Sequence, residues 1–315
     1  MGKNILPIGD GIIKYSQDYA FLTSTMYLDQ SFYNWILSNM IQVYYVPKKD
    51  GKSYELAFFY LGNEVNPINN ISLFDHQIVK MDFLKRSSLD LLEFTKLMID
   101  ENYYVTNTLD EYYIDTSFYY NQKHFEHGRL IYGYDDNEKQ VYTAGYDVTG
   151  HFNFHTIPYT IYDTAFKNTK RNSRISCFRR NDKFYEIDKK LIKSLLYEFV
   201  TSTNSSENCR MIQNPLNNCR WGVDAFECIC DTPSYKDVSM LYEYIILMKK
   251  RAEYFKCSEL INKFEELSKN TRKVSNMMIK ENIKQVYTDK PIKEIEKVLN
   301  QMKSAIYLLY NIIQI

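Results

Sequence analysis

Residues 127–150 read HGRLIYGYDDNEKQVYTAGYDVTG. Gly128 to Tyr134 has the pattern of a strand, Asp135, Asp136 and Asn137 are turn formers, and Gln140 to Tyr146 has a strand pattern again. The spacing predicts a β-hairpin. His127 opens its first strand and Asp147 closes its second, so an antiparallel return brings both side chains to one end of the sheet, close enough to touch. A histidine beside a carboxylate suits acyl transfer: the acid fixes the ring tautomer and stabilises the imidazolium while the other nitrogen serves a nucleophile. The same pair can equally be an ordinary surface hydrogen bond, and spacing alone leaves both readings open.

Outward from the hairpin, strand-like runs fall at Glu55 to Tyr60, Gln77 to Phe83 and Tyr103 to Thr106. Two helical stretches interrupt them. One covers Ala20 to Tyr44 with a break near Asp29 to Ser31. The other covers Ser88 to Glu101, where the serine pair is suited to N-capping and Leu91, Leu92, Thr95, Met98 and Ile99 share a side. Beyond residue 186 the period changes. Ile187 to Val200 reads as a helix and Thr201 to Asn208 as a loop, and Lys236 to Lys256, Ser258 to Gln285 and Pro291 to Ile313 read as three long helices, the last opened by a proline. The stripes Leu241, Ile245, Met248, Ala252 and Ile295, Leu299, Met302, Ile306, Leu309 are read as core. The expectation is an α+β chain: residues 1–180 as one domain with an antiparallel sheet and a packed central helix, and residues 181–315 as a mostly helical domain.

Composition limits the function classes. Thirty-nine basic residues balance thirty-nine acidic ones, so no global field favours nucleic acid or an anionic membrane. The apolar stretch Ala305 to Ile315 is too short to cross a bilayer and the N-terminus lacks a signal-peptide pattern, so a cytoplasmic location is expected. Reduced thiols are then the default for the six cysteines, the first of which is Cys177. The 29 tyrosines imply no stacking platform by themselves.

His127, a short mainly apolar run, Gly133-Tyr134-Asp135-Asp136, a β-return and Asp147 together resemble the His and Asp half of papain-like cysteine peptidases, nearest to the bacteriocin-leader peptidases and the N-terminal domain of butirosin-biosynthesis protein H. The resemblance spans about residues 10–170, and the hairpin is its specific part. It implies a papain-like fold and acyl transfer, forming or cleaving an amide on a peptide or carrier-protein thioester in natural-product biosynthesis, with His127 as base and Asp147 as its orienter. It also implies a cysteine at the start of a central helix, activated by the helix dipole and the histidine. Matching that pattern to YAFLTSTMYL puts Ala20 at the nucleophile position. Three explanations stand: natural loss of catalysis, an engineered inactive variant, or a hydroxyl nucleophile from Ser24 or Thr25. A buried helical Ser or Thr more often bonds back to a carbonyl. The alternative function is a catalytically inactive pseudoenzyme acting as a binding or scaffold protein.

Other motifs carry less. His124 and His127 point to opposite faces of an extended chain, Cys228 and Cys230 are spaced C-x-C, and Cys209 with Cys219 adds no ligand pattern, so no metal is expected. Gly9, Asp10 and Gly11 lack a phosphate-cradle spacing, and no cofactor is expected. His151 and His155 receive no role, and Trp221 in WGVDAFECI is read as packing inside. The basic stretch Lys167 to Arg180 reads as a solvated surface that at most meets an acidic carrier protein. The partners expected are an acyl-carrier protein or peptide and a second copy of the chain through the C-terminal helices.

Overall fold

The hairpin forms as its sequence dictates. In the computed structural model, which describes residues 2–47, 54–59, 71–87, 89–170, 174–205 and 219–314, Glu126–Asp135 and Gln140–Tyr146 pair antiparallel from Asp135↔Gln140 to Leu130↔Ala144. Asp135 shapes the turn by accepting the N–H groups of Asn137 and Glu138, and Lys3 neutralises its carboxylate at 2.9 Å. A bulge between Ile131 and Gly133 re-aims the strand just where Lys3–Ile5 pairs on its other edge.

In chain order the elements are β1 (Lys3–Ile5), α1 (Gln17–Thr25), α2 (Gln30–Asn39), β2 (Val43–Pro47), β3 (Tyr54–Phe58), β4 (Phe74–Lys80), α3 (Met81–Arg86), α4 (Leu91–Asp100) and β5 (Tyr104–Asp110). Then come β6 (Glu126–Asp135), β7 (Gln140–Tyr146), β8 (Phe152–Pro158), α5 (Tyr159–Lys167), β9 (Arg174–Arg180) and α6 (Lys189–Thr201). The chain ends in β10 (Arg220–Trp221), α7 (Gly222–Glu227), α8 (Tyr235–Tyr254), α9 (Ser258–Lys284) and α10 (Lys290–Ile312). The fold is α+β with antiparallel sheets and a helical C-terminal part. No helix among the described residues is long and apolar enough to cross a membrane.

The chain divides into two compact units, residues 1–28 with 66–184, and residues 29–65 with 185–315. In the first, strands run β4-β9-β5-β6-β7-β8 with β1 against β6. Buried Tyr162 ties α5 to its neighbours: its hydroxyl lies 3.0 Å from Thr95 Oγ1 on α4 and accepts from Asn107 Nδ2 on β5 at 2.7 Å. In the second, β10-β2-β3 form a small sheet, and Phe58, Phe199 and Phe226 surround the ring of Tyr244. Residues 29–65 thus group with 185–315, whereas the sequence reading put them in a domain ending at residue 180. Arg251 of α8 is the reason: fully buried, it donates to the carbonyls of Leu37 (2.8 Å), Ile36 (3.2 Å) and Met40 (2.8 Å), filling the unsatisfied C-terminal end of α2.

Some local expectations change. The predicted helix Ala20 to Tyr44 stops at Asn39, and Val43 and Tyr44 belong to β2, where β-branched and aromatic residues fit a pleated surface. The predicted strand Gln77 to Phe83 ends at Lys80, the last residue paired with β9, and the chain turns into α3. The cap of α4 is Asp90, which accepts from the N–H groups of Leu92 and Glu93. Within the basic stretch Arg174–Arg180 forms strand β9, with Ile175, Cys177 and Phe178 buried while Lys167, Lys170 and Arg174 are exposed, and residues 171–173 lie outside the described residues. Tyr60, Ser88, Asn208 and Cys209 lie outside them as well.

Candidate functional site

Helix α1 opens at Gln17, with Ser16 as N-cap residue in extended backbone, its hydroxyl making no capping hydrogen bond. Ala20 lies one turn in and is fully buried. Ser24 is also fully buried and packs where a methyl group on Gly11 would stand. It is seven residues beyond Gln17, about 10 Å along the helix axis, which removes it from the end of α1 that faces the hairpin. Thr23 and Thr25 bond back to the carbonyls of Tyr19 (2.8 Å) and Leu22 (3.0 Å), as buried helical threonines tend to.

The end of α1 meets the hairpin at Gly128. The Gln17 carboxamide packs against Gly128 where a Cβ would stand, so a side chain at 128 would have to push the glutamine aside. Tyr146 reinforces the contact by donating its hydroxyl to the Lys14 carbonyl at 2.6 Å. Beside this junction stands His127, its side chain one-third exposed, between the rings of Phe125 (5.5 Å between centroids) and Tyr146 (6.3 Å).

His127 Nδ1 faces Glu111 Oε1 at 3.6 Å, an ion-pair distance longer than a hydrogen bond. Glu111 follows β5 in a short 3-10 turn and is almost entirely buried. Arg129 Nε donates to Oε1 at 3.1 Å and Ser117 Oγ to Oε2 at 2.6 Å. Burial pushes the Glu111 carboxyl up, but the His127 ring, the Arg129 guanidinium and the Ser117 hydroxyl more than reverse this, and it lies below the ordinary glutamate value.

Asp147, the residue expected to orient His127, is engaged elsewhere. Its Oδ1 accepts from Thr149 N (2.8 Å), Thr149 Oγ1 (2.6 Å) and His151 N (3.2 Å), and its Oδ2 from Asn153 Nδ2 (2.6 Å). Partial burial raises its pKa, yet these bonds hold it well below the usual carboxylate range. The hairpin does bring the two residues to the same end of the sheet. The turn 147–150 then draws the carboxylate into its own loop, because a side-chain bond two residues along the backbone is the shorter reach for an aspartate.

Beneath His127 the same sheet face carries a polar interior. Arg129 is fully buried over Gly145 and donates to the Tyr146 carbonyl at 3.3 Å. Arg129 Nη1, Thr143 Oγ1 and His155 Nε2, the last two on residues paired across β7 and β8, are buried without a hydrogen-bond partner among the described residues. Burial, then the Arg129 charge, lowers the His155 pKa. His124 stacks on Tyr112 and sits 2.7 Å from Asp110 Oδ2. Burial pushes the Cys177 thiol up to about 12 and Cys230 up to about 11, so neither is an activated thiolate. Among the described residues no three His, Cys, Asp or Glu side chains form a group able to hold a metal ion.

Ser16, Gln17, Glu111 and Arg129 escaped the sequence reading. Arg129 begins a run of buried residues in β6 with no in-and-out alternation to single it out, and nothing in its spacing named Glu111 as partner. No protein-family model and no curated protein matches the chain.

Proposed function

We propose that residues 1–28 with 66–184 form a papain-like unit that binds a peptide or a carrier-tethered acyl group without bonding to it covalently. The observation that carries this reading is the burial of Ala20, which leaves the position aligned with the nucleophile both unreactive and closed to substrate. The likeness rests on an antiparallel sheet, a helix whose N-terminal end abuts one hairpin, and a partly exposed histidine at that junction. The exposed rings of Phe118 and Tyr120, in the segment leading from Glu111 to His127, supply apolar surface for a ligand.

A second reading is favoured by Ser16. Ser16 stands at the N-cap of the helix end that meets the hairpin, and its hydroxyl makes no capping hydrogen bond. In covalent acyl transfer Ser16 Oγ would attack a thioester carbonyl, passing its proton to His127. The carbon–sulfur bond would break, the thiolate would leave with that proton, and the N–H groups of α1 would stabilise the developing oxyanion. Glu111, rather than Asp147, would steady the imidazolium.

Titration with acyl-pantetheine thioesters and amide-linked peptides, followed by intact-mass measurement, separates the readings. Saturable binding with unchanged mass is expected. A mass gain abolished by Ser16→Ala would replace the first reading by the second, and absence of binding would remove both.

A further inference from the structure

Helices α9 and α10 enclose a groove of about 540 Å³ within the second unit. Its rim holds Lys273 from α9 and Lys290, Lys293 and Lys297 from α10, and its floor Val274 and Met277. The α10 lysines follow an i, i+3, i+7 spacing, which puts them on one helix face over about 10 Å of axis. Glu294 is the one carboxylate in the lining. Among the described residues none of the four ammonium groups reaches a carboxylate within ion-pair distance, and Lys273 meets only the Asn270 amide oxygen at 3.4 Å. Elsewhere lysines do pair: Lys249 of α8 with Glu265 of α9 at 2.7 Å and Lys269 of α9 with Glu265 at 3.5 Å. Lys290 is also the first residue of α10, where the helix dipole adds positive potential.

We propose that this groove binds a small molecule carrying a chain of phosphates. The volume suits a small ligand rather than a folded partner. Charge density decides between anions. Three lysines along about 10 Å of α10, with Lys273 lining the same groove from α9, call for closely spaced negative charges, whereas a helical acidic peptide presents a carboxylate on one face only about once per 5.4 Å turn. Consecutive phosphates meet the denser requirement. Lysine without arginine is consistent with phosphate oxygens approached as point charges, not with bidentate carboxylate recognition.

The test is calorimetric titration of the full chain with sodium tripolyphosphate at two salt concentrations. One-to-one binding that weakens with salt is expected, with affinity reduced at least tenfold in a Lys290→Gln, Lys293→Gln, Lys297→Gln variant and reduced also by Lys273→Gln alone on the facing helix. All four positions are exposed, so circular dichroism should show an unchanged fold. A Lys189→Gln, Lys190→Gln variant, altered at exposed positions on α6, should bind as the parent does. Equal weakening in that control, unsaturable binding, or tighter binding of a short poly-glutamate peptide than of tripolyphosphate would each overturn the proposal.

Discussion

Glu111 Oε1 lies 3.6 Å from His127 Nδ1 while the same carboxylate neutralises buried Arg129, so one acid serves a surface histidine and an interior cation together. The interior partner dominates its energetics. Arg129 is inaccessible to solvent and cannot find water if Glu111 is lost. Glu111→Gln should therefore destabilise the protein by about 3 to 5 kcal/mol, the usual result of leaving a buried charge unpaired. Urea unfolding would measure it, and a loss below about 1 kcal/mol would contradict the assignment.

The partner of His127 can be tested by double-mutant cycles. His127→Ala with Glu111→Gln should show a coupling energy of about 0.5 to 1 kcal/mol, as befits a long contact between a partly exposed histidine and a buried carboxylate. His127→Ala with Asp147→Asn should be additive, because the Asp147 carboxylate is spent on Thr149, His151 and Asn153. Coupling only in the second cycle would restore Asp147 as orienter.

Acid should weaken the first unit, Glu111 and His155 acting in the same direction as the lowered carboxyl of Asp147. The Glu111 pKa is lowered in the fold, so its contribution is present above the ordinary glutamate range and is lost as pH falls through it. The His155 pKa is also lowered, so the unfolded chain takes up its proton first and stability declines as pH drops below about 6.5. His155→Leu should flatten the stability profile between about pH 7 and 5 and leave the steeper loss near pH 4 in place. Thermal melts across that range would show it.

Tyr244→Phe should leave stability unchanged or raise it by up to about 1 kcal/mol. The ring is packed among Phe58, Phe199 and Phe226, while its buried hydroxyl has no hydrogen-bond partner among the described residues. Removing an unsatisfied polar atom without changing shape relieves a desolvation cost. A clear loss in denaturant midpoint would show that the hydroxyl has a partner after all.

Ala20→Cys should yield a thiol that resists alkylation in the native protein and reacts once the chain is unfolded, because the position has no solvent exposure. Mass spectrometry would count one additional adduct, relative to the parent, only in denaturant. Rapid native labelling at position 20 would reopen the covalent reading at that residue.

Elements with a local signal are legible in the residues alone. Turn formers at 135–137 between two strand patterns defined the hairpin, and apolar stripes with a first-turn proline located α8, α9 and α10 to within a residue or two. His127 and Asp147 were legible for the same reason, since strand spacing fixes which end of a hairpin each occupies. Only the tertiary structure decided their partners. Glu111 reaches His127 through the pairing of β5 with β6, a nonlocal register that no spacing along the chain encodes. Arg251 draws α2 into the second unit across more than two hundred residues of sequence. Asp147 was lost from the expected pair to its own loop. Buried Arg129 and Arg251 must find acceptors, a condition set by three-dimensional packing and not by the period of the sequence.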